Sequence, residues 1–324
     1  MPPHMQLSDI KLGQCSTTES PDSRHPVQVI AVTGGKGGTG KTNIAVNLAQ
    51  ALANEGQATL LLDADLGMAN VDVMLGLSAT HTLSDVLNGH CTLEDIVIDM
   101  DDKLQVIPAA SGVKELADMK QQGCASLVRA FSDLKHPLDF LVVDTATGIS
   151  ECVASFCRAA TEILVVVCNE PASIRDSVSQ ISLFSSEYGI SRFRILANKV
   201  ESANEAQGLF RTIISRFNDN HRPQISFAGY IPIDEHLGKA VRQHRVLVNA
   251  YPRSRAAMAL RHLAGRVIDW PQPENAVGQF EFFVERHVGN ENIETEVMSR
   301  KIHQPRSQMT TRQVTTACSS TSHW

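Results

Sequence analysis

A chain of 324 residues has room for one large domain with extensions, or for two. Its 43% hydrophobic content fits a globular fold, and its longest apolar runs are too short to span a bilayer as helices, which excludes a helical channel or carrier. A formal net charge of −6 gives no overall drive towards nucleic acid. The seven cysteines show neither a C-x-x-C pair nor a zinc spacing, so they are expected to be reduced thiols, with Cys152 and Cys157 as ordinary buried residues.

Residues 1–25 mix Pro, Ser, Thr, Asp and His without periodicity, which predicts a flexible leader with no secretion signal. From Val27 the texture changes. Short β-branched runs at 27–33, 58–65, 104–109, 139–145, 163–169, 193–199 and 227–232 alternate with helical patterns. Continuous apolar runs of this kind suit strands covered on both faces, hence a doubly wound, mostly parallel α/β sheet. Between the first two runs, Ile44, Leu48 and Leu52 mark a helical stripe and Gly56 a stop. The pattern ends near Trp270, where "WPQPEN" brings two prolines, so residues 26–270 are expected to form one domain. A linker and amphipathic helix follow over 271–288, with Phe280, Phe283, Val284, His287 and Val288 on one stripe. The Ser/Thr/Gln-rich residues 289–324 are expected to be disordered.

The chemistry concentrates after the first strand. Gly35-x-x-x-x-Gly40-Lys41-Thr42 fits the phosphate-loop pattern, with Gly37, Gly38 and Thr39 inside it, a strand before it and a helix after it. Glycines let backbone N–H groups close around phosphates, and the helix N-terminus favours the same anion. Lys41 can reach terminal phosphates, and the Thr42 hydroxyl can ligate Mg²⁺. Asp63, Asp65 and Asp144 stand at strand ends, where a parallel sheet gathers its ligands. A carboxylate there holds Mg²⁺ or orients an attacking water.

"KGGTGKT" resembles the deviant phosphate loop of the MinD/ParA class of P-loop ATPases, "DADLGMANVD" its switch I and "DTATG" its switch II. The resemblance implies that Lys36, the additional lysine, reaches the nucleotide of a second subunit in an ATP-dependent homodimer. Two facing triphosphates would otherwise repel one another. "VIPAASG", "AYPRS" and "EFFVERHV" narrow the resemblance to the flagellar-number regulators FleN/FlhG, over about residues 26–288.

That branch implies a slow cytoplasmic ATPase using ATP and Mg²⁺, with Asp65, Lys36 and Lys41 catalytic and Thr42, Asp65 and Asp144 at the metal. It also implies inhibition of the flagellar master activator, an AAA+ enhancer-binding protein, and work with a signal-recognition-type GTPase. Asn198, Pro232 and Asp234 match the family's adenine-side segments, whereas Glu201 spoils a guanine signature. Thr147 stands where the family more often has Ala, and Asn169 where this branch has Asp. Residues 1–25 lack the D-Q-A-x-x-L-R segment that many FlhG proteins carry.

The alternative is a positioning or partition ATPase of the same fold, acting on membrane or DNA. The 278–288 stripe keeps a membrane surface, at the inner membrane or cell pole, as an option, although Glu281 and Glu285 suit anionic lipid poorly. Direct DNA binding is not expected, since the Arg-rich 251–266 reads as a solvated helix face. A nitrogenase-like electron donor would need paired cluster-ligating cysteines, which the spacing does not offer.

Overall fold

The computed structural model describes residues 26–66, 70–109, 121–134, 136–217, 223–271 and 282–283. Eight strands form its sheet: β1 (Gln28–Thr33), β2 (Thr59–Ala64), β3 (Ile98–Asp99), β4 (Leu104–Ile107), β5 (Phe140–Thr145), β6 (Glu162–Cys168), β7 (Arg192–Val200) and β8 (Gln224–Pro232). Their spatial order is β3-β4-β2-β5-β1-β6-β7-β8, parallel throughout except for the β3–β4 pair. Every residue of β1, β2, β5 and β6 is buried, as continuous apolar runs in a doubly covered parallel sheet require. The two-residue β3 has no signal in the sequence. β8 starts earlier than its apolar run because its first residues, at the sheet edge, are only partly covered.

Among the described residues the α-helices are α1 (Lys41–Asn54), α2 (Val71–Leu75), α3 (Leu83–Leu87), α4 (Gln121–Ala130), α5 (Glu151–Ala159), α6 (Pro171–Tyr188), α7 (Ala203–Ile214), α8 (Glu235–Arg242), α9 (Leu247–Ala250) and α10 (Arg255–Ile268). Ser150, Ser202 and Ser254 start α5, α7 and α10 by accepting N–H bonds at 3.2–3.3 Å from residues three positions on. Pro171 opens α6 and left-handed Gly189 closes it. On one face of the sheet α1 and α10 bury Ile44, Leu48, Leu52, Leu260 and Leu263. Each such side chain stabilises the fold by about 1.5–3 kcal/mol. The opposite face holds two clusters, one built on α4 and α5 and the other on α6 and α7.

Two findings change the expectations. Cys124 on α4 and Cys152 on α5 are joined as a disulfide, with Cα atoms 5.7 Å apart, where reduced thiols were expected. Packing brings the two helices together across 28 positions of sequence, a separation that cysteine spacing alone cannot interpret. Cys157 is a free, buried thiol, as expected.

In the 278–288 stripe, Phe282 and Phe283 lie in a turn, with Phe283 at φ 59°, and both are buried. They pack edge-on against Phe131, and Phe282 also stacks on Phe156. Phe282, which the stripe leaves out, is therefore a core residue. The rest of that segment, the leader 1–25 and the tail 289–324 lie outside the described residues. Beyond α10, the Trp270 ring lies 4.0 Å from the Arg194 guanidinium.

Candidate functional site

β1 is central and ends at Thr33, with β5 and β6 as its neighbours, so the loop 34–40 leaves the sheet where strand order reverses. Three close approaches fix that loop. A Cβ on Gly34 would stand 2.8 Å from Val166 O, and one on Gly35 would meet Asp176 O at 2.4 Å on α6. Gly40 has φ 94°, and its hypothetical Cβ would lie 2.6 Å from Asn198 Nδ2. Glycine is thus required sterically at 34 and 35, and by both sterics and backbone conformation at 40. Gly37 and Gly38 are exposed, and Thr39 is buried.

The loop is also tied from beneath. Asn198 donates to Thr39 O at 2.7 Å, and Lys199, held at φ 56°, donates from Nζ to Gly38 O at 2.8 Å. Asn198 also accepts the Lys199 N–H, so its buried amide is committed within the chain. Pro232 is buried at the end of β8. Asp234 caps two helices, accepting from His236 N–H and Ala256 N–H at 2.9 Å each. Burial pushes its carboxyl up, but these bonds outweigh that effect and hold it at about 2. In this structure Asn198 and Asp234 brace the loops that surround the site.

The charged groups converge in front of α1. Lys41 is buried, and its Nζ donates to Thr147 Oγ1 at 2.5 Å. Desolvation lowers the Lys41 pKa, against the opposing pull of Asp144 and Asp65. Asp63 on β2 and Asp144 on β5 are register partners. Asp63 accepts N–H bonds from Asp65, Asn70 and Val71, each at 3.1 Å, and so shapes the loop that carries Asp65. Burial raises the Asp63 carboxyl to about 6 despite those bonds. Asp65 lies half-buried just beyond β2.

Asp144 is fully enclosed, and desolvation followed by the neighbouring Asp63 raises its pKa well above the carboxylate range. The Thr42 hydroxyl bonds Asp144, while Asp144 Oδ1 is buried without a hydrogen-bond partner. An orphaned carboxylate oxygen beside a threonine hydroxyl, at a helix N-terminus, suits a hard divalent cation such as Mg²⁺.

Lys36 is partly exposed and pairs with Glu170, which immediately precedes α6. The Glu170 carboxylate holds the Lys36 ammonium above its ordinary pKa. Asn169 donates to Glu205 at 2.7 Å, a bond that an ionised Asp there could not make. Sequence reasoning missed Gln180, which gives no motif signal. From the middle of α6 it donates to Thr33 Oγ1 at 3.1 Å and Gly148 O at 2.6 Å, joining the end of β1, the loop after β5 and the helix. The Gly148 N–H in turn donates to Gly34 O at 3.3 Å.

A glycine loop between a buried strand and a helix N-terminus, backed by carboxylates on two adjoining strand ends, defines a P-loop nucleotide triphosphatase. The ParA family model, described as NUBPL iron-transfer P-loop NTPase, matches residues 26–268, and the chain belongs to this ParA/MinD family. It is 49% identical over 269 residues to the antiactivator FleN of Pseudomonas aeruginosa, covering 82% of this chain and 95% of that protein. It is 28% identical to the flagellum site-determining protein YlxH of Helicobacter pylori, over 76% of this chain and 84% of that one. The fold matches the septum site-determining protein MinD of Pyrococcus horikoshii, solved with Mg-ADP, at a TM-score of 0.62 and 23% identity, covering 75% and 96% of the two chains. Among the described residues no three His, Cys, Asp or Glu side chains gather to hold a metal ion, and no helix is long and apolar enough to cross a membrane.

Proposed function

We propose that this chain is an ATP-dependent dimerising switch with slow hydrolysis, which restrains flagellar number by binding and inhibiting a flagellar master activator of the AAA+ enhancer-binding type. The similarity to FleN supports the regulatory role. The convergence of Lys41, Thr42, Asp65 and Asp144, with one Asp144 oxygen left unbonded, supports nucleotide and Mg²⁺ binding.

The loop amides of 35–40 and Lys41 would bind the phosphates, and Thr42, Asp65 and Asp144 would hold Mg²⁺. When bound, Mg²⁺ supplies positive charge to the phosphate oxygens. Asp65 orients the attacking water and accepts its proton. Lys41 exchanges Thr147 for phosphate, so the switch II segment registers occupancy. Lys36 leaves Glu170 and neutralises the facing nucleotide of the second subunit. Residues 26–270 carry this machinery in the cytoplasm, and adenine lies towards Asn198, Pro232 and Asp234. A signal-recognition-type flagellar GTPase is a further partner.

The rival reading, a positioning ATPase on membrane or DNA, needs a free lipid-binding end or a basic surface. Phe282 and Phe283 pack on the chain's own α4–α5 cluster, which supports docking onto the protein itself.

Size-exclusion chromatography with light scattering tests the proposal. Wild type should elute as a dimer with ATP and Mg²⁺ and as a monomer with ADP, and Lys36→Ala as a monomer in both. A wild-type monomer in every condition rejects the switch. Tighter binding of GTP than ATP rejects the adenine assignment, and a deletion strain with unchanged flagellar number rejects the biological role.

A further inference from the structure

Cys124 and Cys152 form a junction that the nucleotide chemistry does not use. Cys152 is the second residue of α5, half-buried at the helix N-terminus, where the helix dipole favours a thiolate. Cys124 is fully buried on α4. Their Cα atoms are 5.7 Å apart, inside the range a disulfide spans without backbone movement. The other described cysteines, Cys91, Cys157 and Cys168, are free, with thiols raised by burial, Cys157 to about 12.

Cys152 also lies close to the switch along the chain. It follows Thr147 by five residues and Gly148 by four. Thr147 holds Lys41, and Gly148 is held by Gly34 and Gln180. A bond from Cys152 to Cys124 therefore anchors the far end of the segment that carries Thr147 and Gly148. The same two helices grip Phe282 and Phe283 through Phe131 and Phe156.

We propose that Cys124 and Cys152 are a reversible thiol-oxidation site, with Cys152 as the attacking and Cys124 as the resolving thiol, and that the oxidised pair slows the nucleotide switch. In a reducing compartment such a bond is transient and signals an oxidant. The Cys152 thiolate attacks a peroxide oxygen, forming S–O as O–O breaks, and the hydroxide released takes up a proton. The Cys124 thiolate then attacks the Cys152 sulfur, forming S–S as S–O breaks and a second hydroxide leaves and is protonated. The two thiols together lose two electrons and two protons, and hydrogen peroxide is reduced to two waters.

The thiol test is independent of the nucleotide reading, whereas the rate test rests on it. The full chain is treated with hydrogen peroxide at a small molar excess, quenched in acid, alkylated and digested. Mass spectrometry should find the Cys124 and Cys152 peptides linked, and released by dithiothreitol. Cys124→Ala should leave a dimedone-reactive sulfenic acid on Cys152, and Cys152→Ala should leave Cys124 reduced. Full alkylation of both residues in oxidised wild type, or linkage to another cysteine, overturns the site.

ATP hydrolysis by oxidised wild type should be at least ~3-fold slower than by the reduced form, recover with dithiothreitol, and be insensitive to peroxide in Cys152→Ala. Equal rates in both states overturn the coupling. Absence of hydrolysis in either state rejects the ATPase reading, while the peptide map still decides the thiol site.

Discussion

The ammonium of Lys41 donates to the hydroxyl of Thr147 at 2.5 Å, joining residues 106 positions apart in sequence. The loop lysine thus has a hydrogen-bonding partner on the segment after β5, which phosphate displaces under the proposed function. A hydrogen bond to a charged group contributes about 1.5–3 kcal/mol, part of which is regained in bonds to phosphate. Thr147→Ala removes the competitor and should tighten binding of a non-hydrolysable ATP analogue by about 3- to 10-fold in calorimetry. Thr147→Ser should leave it near wild type. Weaker binding by Thr147→Ala would show that the hydroxyl serves the nucleotide instead.

Asp144 presents the opposite bargain between stability and function. Its carboxylate is enclosed, one oxygen lacks a partner, and its pKa is raised by desolvation first and Asp63 second. Desolvation and the Asp63 carboxyl outweigh the Thr42 hydrogen bond and the Lys41 charge, so the Asp144 carboxyl costs the fold stability without ligand. Asp144→Asn should therefore raise the melting temperature of the nucleotide-free protein by a few degrees, while abolishing the further rise with ATP and Mg²⁺. Differential scanning fluorimetry with and without nucleotide reads both effects. A lower melting temperature without ligand would mean that the carboxylate is a structural bond acceptor.

The sequence makes the loop, its flanking strand and helix, and the two acidic strand ends legible, because each obeys a local pattern: an apolar run, a glycine spacing, a carboxylate after a strand. What it conceals is who holds whom. Asn198 and Asp234 match adenine-side segments in sequence, which does not tell that their side chains bond Thr39 O and the N-termini of α8 and α10. Gln180 sits mid-helix with no motif around it, although it joins β1 to the loop after β5. The Cys124–Cys152 bond depends on how α4 packs against α5, a long-range outcome that no spacing encodes.

The two buried carboxylates make the nucleotide-free fold sensitive to pH in a definite sense. Asp63 has its pKa raised by burial to about 6, and that of Asp144 is raised by burial too. For a raised carboxyl the stabilising contribution is complete below its ordinary pKa near 4 and is lost as pH rises through the folded value. Lowering pH from 7.5 to 5.5 should thus add about 1 kcal/mol from Asp63 alone, and the melting temperature should rise by about 2–4 °C. Asp234, held at about 2, is ionised across this window and contributes no slope. A melting temperature that falls over this interval would contradict the burial of both groups. Asp63→Asn should flatten the slope.

Phe282 tests where the chain beyond α10 belongs. Its ring stacks on Phe156 and meets Phe131 edge-on at a centroid distance of 5.1 Å, and its N–H faces Ala159 O at 3.5 Å. The residue is 1% exposed. As part of the α4–α5 core, Phe282→Ala should cost about 3 kcal/mol or more in urea unfolding, as truncation of a buried aromatic does. A residue kept for a membrane or an external partner would instead be replaceable at little cost, with urea midpoints unchanged. Phe282→Leu, which retains most of the buried volume, should lose clearly less than Phe282→Ala, because the penalty follows the cavity left between Phe131 and Phe156.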